Sequence, residues 1–210
     1  MTSTRKLTAT VAVALAAAFG AGCSQSADGE GVRGSATEST SPVSAPSARP
    51  TLTESKLQPP PQQNEYTTQG RAEVVFDPCT WISDDSVVAA ELDPGSRRRG
   101  RDWVVEYTFL TCDFDGTHRD LQINSGNLTW DEDLQKNGAF SEPTTVNGRE
   151  ALLVQDPEMP DTCSMHVRTK VGLVMFSSVR TFEGVQAGLQ RCDGVREIAE
   201  ALEPEIGEEN

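Results

Sequence analysis

The sequence predicts an α+β domain in which an antiparallel sheet of about five strands packs against helices, stapled by two disulfides. Three observations predict it. Segments that alternate apolar and polar residues follow one another across short turns, as antiparallel strands do. The C-terminal region instead repeats apolar residues at three- and four-residue spacing, the period of a helix. Four cysteines, Cys79, Cys112, Cys163 and Cys192, fall within the same stretch of chain.

In FDPCTWISDDSVVAAELDP, Ser83 is a helix N-cap with Ser86 three residues on, and Val87, Val88 and Leu92 supply one apolar face. Cys79 lies just before this helix. Trp103, Val105, Tyr107 and Phe109 then alternate with Val104, Glu106, Thr108 and Leu110, which predicts a strand with Cys112 at its far end. GTHRDLQINS predicts a second strand, paired with the first across a turn at Asp115 and Gly116. NLTWDEDLQKNGAF predicts a helix over residues 129–137, whose acidic first turn suits the helix dipole. A turn at Asn147 and Gly148 introduces REALLVQ, and CSMHVRTK and VGLVMFSSVR complete the strands. Val185, Leu189, Cys192, Val195, Ala199 and Leu202 mark one final helix; Gly184, Gly188 and Gly194 weaken it, so it needs tertiary packing.

The cysteine spacings of 33, 51 and 29 residues contain no close pair of the kind that zinc sites and dithiol redox motifs use. Two disulfides can join four cysteines in three ways. Cys79 with Cys112 and Cys163 with Cys192 is the pairing that fastens a helix to a neighbouring strand each time. Each closes a loop of about 30 residues, worth ~3–4 kcal/mol in the chain-entropy account.

Ahead of the domain, residues 1–22 have the charge order of a signal peptide: Arg5 and Lys6, then an uncharged Ala- and Val-rich stretch. That stretch falls short of the ~20 apolar residues a membrane span needs. Ala21 and Gly22 precede Cys23 as in a bacterial lipobox, although Gly20 stands where leucine is preferred. The expectation is a diacylglyceryl group on the Cys23 thiol, anchoring the protein to the extracytoplasmic face of the cell membrane. The alternative is ordinary cleavage nearby, with Cys23 unmodified. Residues 23–70 are rich in Ser, Thr, Pro, Gly and Gln and predict a disordered tether that holds the domain roughly 40 Å from the membrane. The domain itself is predicted over residues 71–203, followed by an acidic tail, 204–210.

The formal charge is -14, and loss of Arg5 and Lys6 with the leader makes it -16, from 16 basic and 32 acidic residues. This balance excludes nucleic acid as a partner, since phosphate neutralisation needs a positive surface. Arg97, Arg98, Arg99 and Arg101 form a local basic loop, read as a solvated connection or a dock for a polyanionic envelope polymer. His118 and His166 are the two histidines. Asp113, Asp115 and Asp120 are close enough in sequence to orient His118 as a base, whereas His166, between Met165 and Val167, reads as a sheet residue. Asp156, Glu158 and Asp161 partly resemble a calcium loop but lack EF-hand spacing. Trp81, Trp103 and Trp130 either fill the core or line a cleft. There is no serine elbow and no glycine-rich phosphate loop, and no metal or other cofactor is expected. The function these features favour is a non-catalytic envelope module that binds a protein, a glycan or a lipid. The alternatives are a structural or accessory lipoprotein without a stoichiometric ligand, and a hydrolase of unrecognised type.

The lipobox, the Thr/Ser/Pro tether, FDPCTWIS, NGREALL, a cysteine opening a strand and a cysteine in the terminal helix together resemble the actinobacterial lipoprotein family described as domain of unknown function 3558. The resemblance runs from Val74 to about Leu202, with DPCTWI as its sharpest motif. It implies an envelope lipoprotein with a PsbP-like fold and brings no catalytic residues. Its recurrent positions, Asp77, Pro78, Cys79, Gly148 and Arg149, are expected to be structural.

Overall fold

The computed structural model describes residues 51–67, 70–208 and 210; the predicted leader, Cys23 and the tether as far as residue 50 lie outside the described residues. Among these, eight strands form one antiparallel sheet in the order β1-β3-β4-β8-β7-β6-β5, with β2 also paired to β3. The strands are β1 (Arg98–Arg99), β2 (Trp103–Val104), β3 (Thr108–Phe114), β4 (Arg119–Gly126), β5 (Ser141–Val146), β6 (Arg149–Val154), β7 (Thr162–Arg168) and β8 (Leu173–Arg180). The helices are α1 (Pro78–Trp81), α2 (Asp84–Ala89), α3 (Trp130–Asn137), α4 (Phe182–Gln186) and α5 (Val195–Leu202). The α+β class is as predicted, with more strands than five. β1 and β2 are two residues each, and SEPTTV, which forms β5, has no apolar alternation to reveal it. Its Pro143 is tolerated because β5 is an edge strand.

Strand pairing sorts the side chains into two faces, since successive residues point oppositely. One face carries Leu110, Cys112 and Phe114 of β3, Leu121 and Ile123 of β4, Val174 and Phe176 of β8 and Met165 and Val167 of β7, all buried. Against it pack α1, α2 and α5, the last through Val195, Ile198, Ala199 and Leu202. Both favoured disulfides are formed: Cys79 of α1 to Cys112 of β3, and Cys163 of β7 to Cys192 in the turn before α5.

The expected family positions have structural duties. Asp77 caps α1 by accepting from the Cys79 amide, Pro78 opens that helix, and Gly148 holds φ 87° in the turn before β6. Arg149 donates to Glu203 at 2.8 Å, to the Gly207 carbonyl at 2.9 Å and to the Asn210 carbonyl. That arginine corrects the reading of 204–210 as a tail: Ile206 and Asn210 are buried.

Three further expectations change. Trp103 pairs with Phe109 and Val104 with Thr108, so the alternating run folds back at residues 105–107, and Cys112 lies inside β3 instead of at its end. The terminal helix is two helices, because Gly188 and Gly194 adopt φ of 81° and 79°, the left-handed region that ends a helix. The tether is shorter than composition suggested. Leu57 is only 2% exposed within the core, the Leu52 amide donates to the Thr80 carbonyl at 2.8 Å, and Arg99 bonds the Leu57 carbonyl while pairing with Asp77 at 2.6 Å. Two leucines in a polar stretch give no periodicity, so only tertiary contact reveals the strap.

Leu57→Ala should therefore lower stability by about 2–4 kcal/mol in urea unfolding, the cost of truncating a core leucine; a true tether residue would change it by less than about 0.5 kcal/mol. At α3, Thr129 and Glu132 form a capping box, and Arg71 grips Glu132 through two bonds of 2.7 and 3.0 Å. Arg71 first, then Thr129, pulls the Glu132 carboxyl down from 4.5 to about 2. Because the folded value lies below the unfolded one, this stabilisation is complete above pH 4.5 and fades as pH falls towards 2. Glu132→Gln should flatten that part of the stability profile, measured by denaturation at stepped pH.

Candidate functional site

The sheet's second face has no helical layer of its own. Register places Asp113, Gln122, Ser177, Ser164 and Val154 in one row across β3, β4, β8, β7 and β6. The next row reads Thr111, Asn124, Met175, His166 and Leu152. All of these except Thr111 and Leu152 line a trough of about 430 Å³, walled by Lys136 and Asn137 of α3 on one side and by Asp156 and Met159 of the β6–β7 loop on another. That volume is in the range of small-molecule sites.

The floor is internally braced. Thr111 donates to the Asn124 side-chain oxygen at 2.9 Å, Gln122 donates to Asp113 at 2.9 Å, and Ser164 donates to Ser177 at 2.9 Å. The β6–β7 wall is held from below: the Arg191 guanidinium donates to the carbonyls of Asp156, Met159 and Thr162 at 2.6–2.8 Å. Arg191 neighbours Cys192, so the Cys163–Cys192 bond fixes wall and floor together. Arg119 binds the same turn, donating to the carbonyls of Gln190 and Arg191, and burial pulls its pKa below the usual arginine value.

At one corner sits a buried polar triad. Asp133 of α3 is fully buried, and both of its oxygens lie 2.9–3.0 Å from His166 Nδ1. Asn137, one turn further on, donates to the same carboxylate at 2.7 Å. A carboxylate on Nδ1 selects the tautomer with the proton there and leaves Nε2 as an acceptor. His166 is only 5% exposed and lines the trough, yet among the described residues Nε2 has no hydrogen-bond partner. The site therefore offers an oriented imidazole whose outer nitrogen is open to a ligand.

Other sequence candidates lie elsewhere. His118 is exposed, with its carbonyl bonded to the Thr181 amide; Asp115 pairs with Arg98, and Asp113 belongs to the trough floor. The three tryptophans are dispersed, and none lines the trough. Trp81 packs edge-on to Phe76 at 5.8 Å, Trp103 is half exposed beside Arg101, and Trp130 opens α3. Asp156 is bonded within its own loop and Asp161 pairs with Arg180. No group of three or more metal-ligating side chains converges among the described residues. The arginine run is only half solvated: Arg97 is buried on Asp84 and over the Phe114 ring and Arg99 pairs with Asp77 and Asp102, whereas Arg98, paired with Asp115, and Arg101, over the Trp103 ring, are exposed. Sequence reasoning took Asp133 for a dipole residue of the first helical turn. The missed signal is that α3 has no apolar face: its buried side chains are Asp133 and Asn137, four residues apart, while Leu134 is exposed.

At pH 9, nitrogen-detected NMR of histidine should show the His166 proton on Nδ1. Asp133→Ala should abolish that preference and lower stability by about 1–3 kcal/mol, because a buried donor loses its acceptor. A proton found on Nε2 in the parent protein would contradict the assignment.

No helix among the described residues is long and apolar enough to cross a membrane. No curated protein and no solved structure matches the chain. A family model does match, over residues 18–205, which spans the domain with its capped α1, both disulfides and the trough, and the chain belongs to that family, described as Protein of unknown function (DUF3558).

Proposed function

We propose that the protein is a lipid-anchored cell-envelope lipoprotein whose domain is a non-catalytic binding module for an envelope protein, glycan or lipid, with the trough as its seat. The anchor reading rests on the basic n-region, the uncharged stretch and Ala21, Gly22 and Cys23. Two disulfides agree with an oxidising compartment outside the cytoplasm. The single observation that carries the binding reading is the His166 imidazole, buried and oriented by Asp133, with Nε2 unpartnered towards a 430 Å³ trough. Among the described residues, Nε2 is not one of the buried side-chain atoms left without a partner, which are the guanidinium Nε atoms of Arg71, Arg99, Arg119 and Arg180; it is open to the trough, where a ligand can reach it. An accessory role without a ligand gives this arrangement no use.

The same imidazole favours a second reading, a hydrolase with His166 as general base. What weighs against it is the nucleophile: among the described residues no hydroxyl hydrogen-bonds to His166, and Ser164 and Ser177 bond to one another. All four domain cysteines are consumed in disulfides.

Native mass spectrometry of protein extracted from membranes in mild detergent tests the main reading. The expected mass begins at a diacylated Cys23 and includes a small-molecule adduct that Ser177→Trp, by filling the trough, removes. Soluble protein with an unmodified Cys23, or an adduct that survives Ser177→Trp, overturns the anchor or the seat respectively.

A further inference from the structure

We infer a second site, separate from the trough: a cleft that takes a small monocarboxylate, its carboxylate on the Arg119 guanidinium and its apolar body against α2 and α5. The cleft, of about 540 Å³, lies between the C-terminal end of α2 with residues 90–92, the start of β4, and the segment from Leu189 into α5. That volume suits a small molecule. Ala90, Leu92, Leu189 and Ile198 supply apolar wall, and Arg119 supplies a cation.

Arg119 is only 5% exposed, yet its bonds all go to neutral acceptors. Nη1 donates to Ser178 Oγ at 3.3 Å and to the Arg191 carbonyl at 3.1 Å, and Nη2 donates to the Gln190 carbonyl at 2.6 Å. A guanidinium carries five N–H donors, so two remain, one on Nη2 and the one on Nε, which is buried without a partner. Nε faces Gly194, which lines the same cleft; a Cβ there would stand 3.5 Å from it, and glycine leaves that space free of a side chain. A buried cation without a counter-ion is costly, and burial pulls the Arg119 pKa below the usual arginine value against the opposite pull of Asp193 and Glu197. The two oxygens of a carboxylate match the two spare donors and supply the missing charge. Glu91 and Glu197 also line the cleft, but both are exposed, so water screens their repulsion far more than it screens the buried guanidinium. What they do is select against a dianion, which would meet that repulsion twice over.

The chain has two histidines, and full-length protein labelled with 15N-histidine reads the cleft directly, because exposed His118 lines it while His166 lines the trough. Hexanoate, hexanamide and hexylammonium are titrated at constant pH and ionic strength. The expected result is saturable movement of His118 with His166 unmoved by hexanoate, at least tenfold weaker binding of hexanamide, and none of hexylammonium. Arg119→Lys keeps the charge but loses the fork and should weaken hexanoate at least tenfold. Because Arg119 also holds the turn at residues 190–191, two variants of exposed residues stand beside it. Glu197→Gln, by removing a rim charge, should tighten hexanoate about twofold, and Ala89→Trp, by filling the mouth, should abolish its binding. Hexanamide binding as tightly as hexanoate overturns the carboxylate, and hexylammonium moving His118 gives the cleft to its glutamates and overturns the proposal. Hexanoate binding that survives Ala89→Trp or loosens in Glu197→Gln lies elsewhere and overturns it too, as does a still His118 or movement of both histidines together. His166 reports the trough separately, so failure here leaves the trough reading standing.

Discussion

A sheet with one apolar face under a helical layer has a second face with no such layer, here largely polar and only partly covered, and that constraint organises this protein. Because side chains alternate strictly along each strand, the residues that bury Phe114, Ile123, Met165 and Phe176 on one side present Asp113, Gln122, Asn124, Ser164, His166 and Ser177 on the other. Covering the first face takes α1, α2 and α5, the strap through Leu57 and the C-terminal turn through Ile206. Only α3 approaches the second face, and it does so with an aspartate.

How much of this was legible follows from which elements carry their own signal. The Ser83 cap, the helix α3, the turn at Asn147 and Gly148 and the β3–β4 hairpin are local, and each appears where the sequence places it. The two disulfides followed from asking which helix each cysteine could fasten to a strand. What stayed hidden depends on long-range contact. Arg99 reads as part of a solvated basic run, yet in space it joins Leu57, Asp77 and Asp102, whose carboxyl burial pushes up against the pull of the Thr111 amide and Arg99. Sequence shows four arginines within residues 97–101; it does not show that carboxylates from α2, the segment before α1 and the β3–β4 turn converge on three of them.

The same convergence explains why an acidic chain carries an arginine cluster with no anionic partner. Arg97, Arg98 and Arg99 each take a carboxylate from a different segment, so three of the four charges are neutralised within the fold. Arg149 and Arg191 work similarly through carbonyls, one fixing the C-terminus and the other the trough wall. Buried guanidiniums bonded to backbone are suited to irregular segments, because one planar fork satisfies two or three carbonyls that no strand or helix can. Strap, wall and tail are all irregular, and each is held by an arginine.

Against that background α3 is the element whose design a stability argument does not explain. Its N-terminus is secured by a capping box and by Arg71, so the helix has no need of a buried charge to hold its place. An apolar residue at Asp133 would cover the sheet without desolvating a carboxylate, since well-packed apolar replacements of buried ion pairs are often neutral or stabilising. Asp133 and Asn137 instead spend the helix's buried face on orienting one imidazole, whose far side opens onto the trough. Those polar atoms stand where apolar ones would pack, and what they accomplish is to hold one imidazole nitrogen open to the trough, which is the arrangement a binding seat requires.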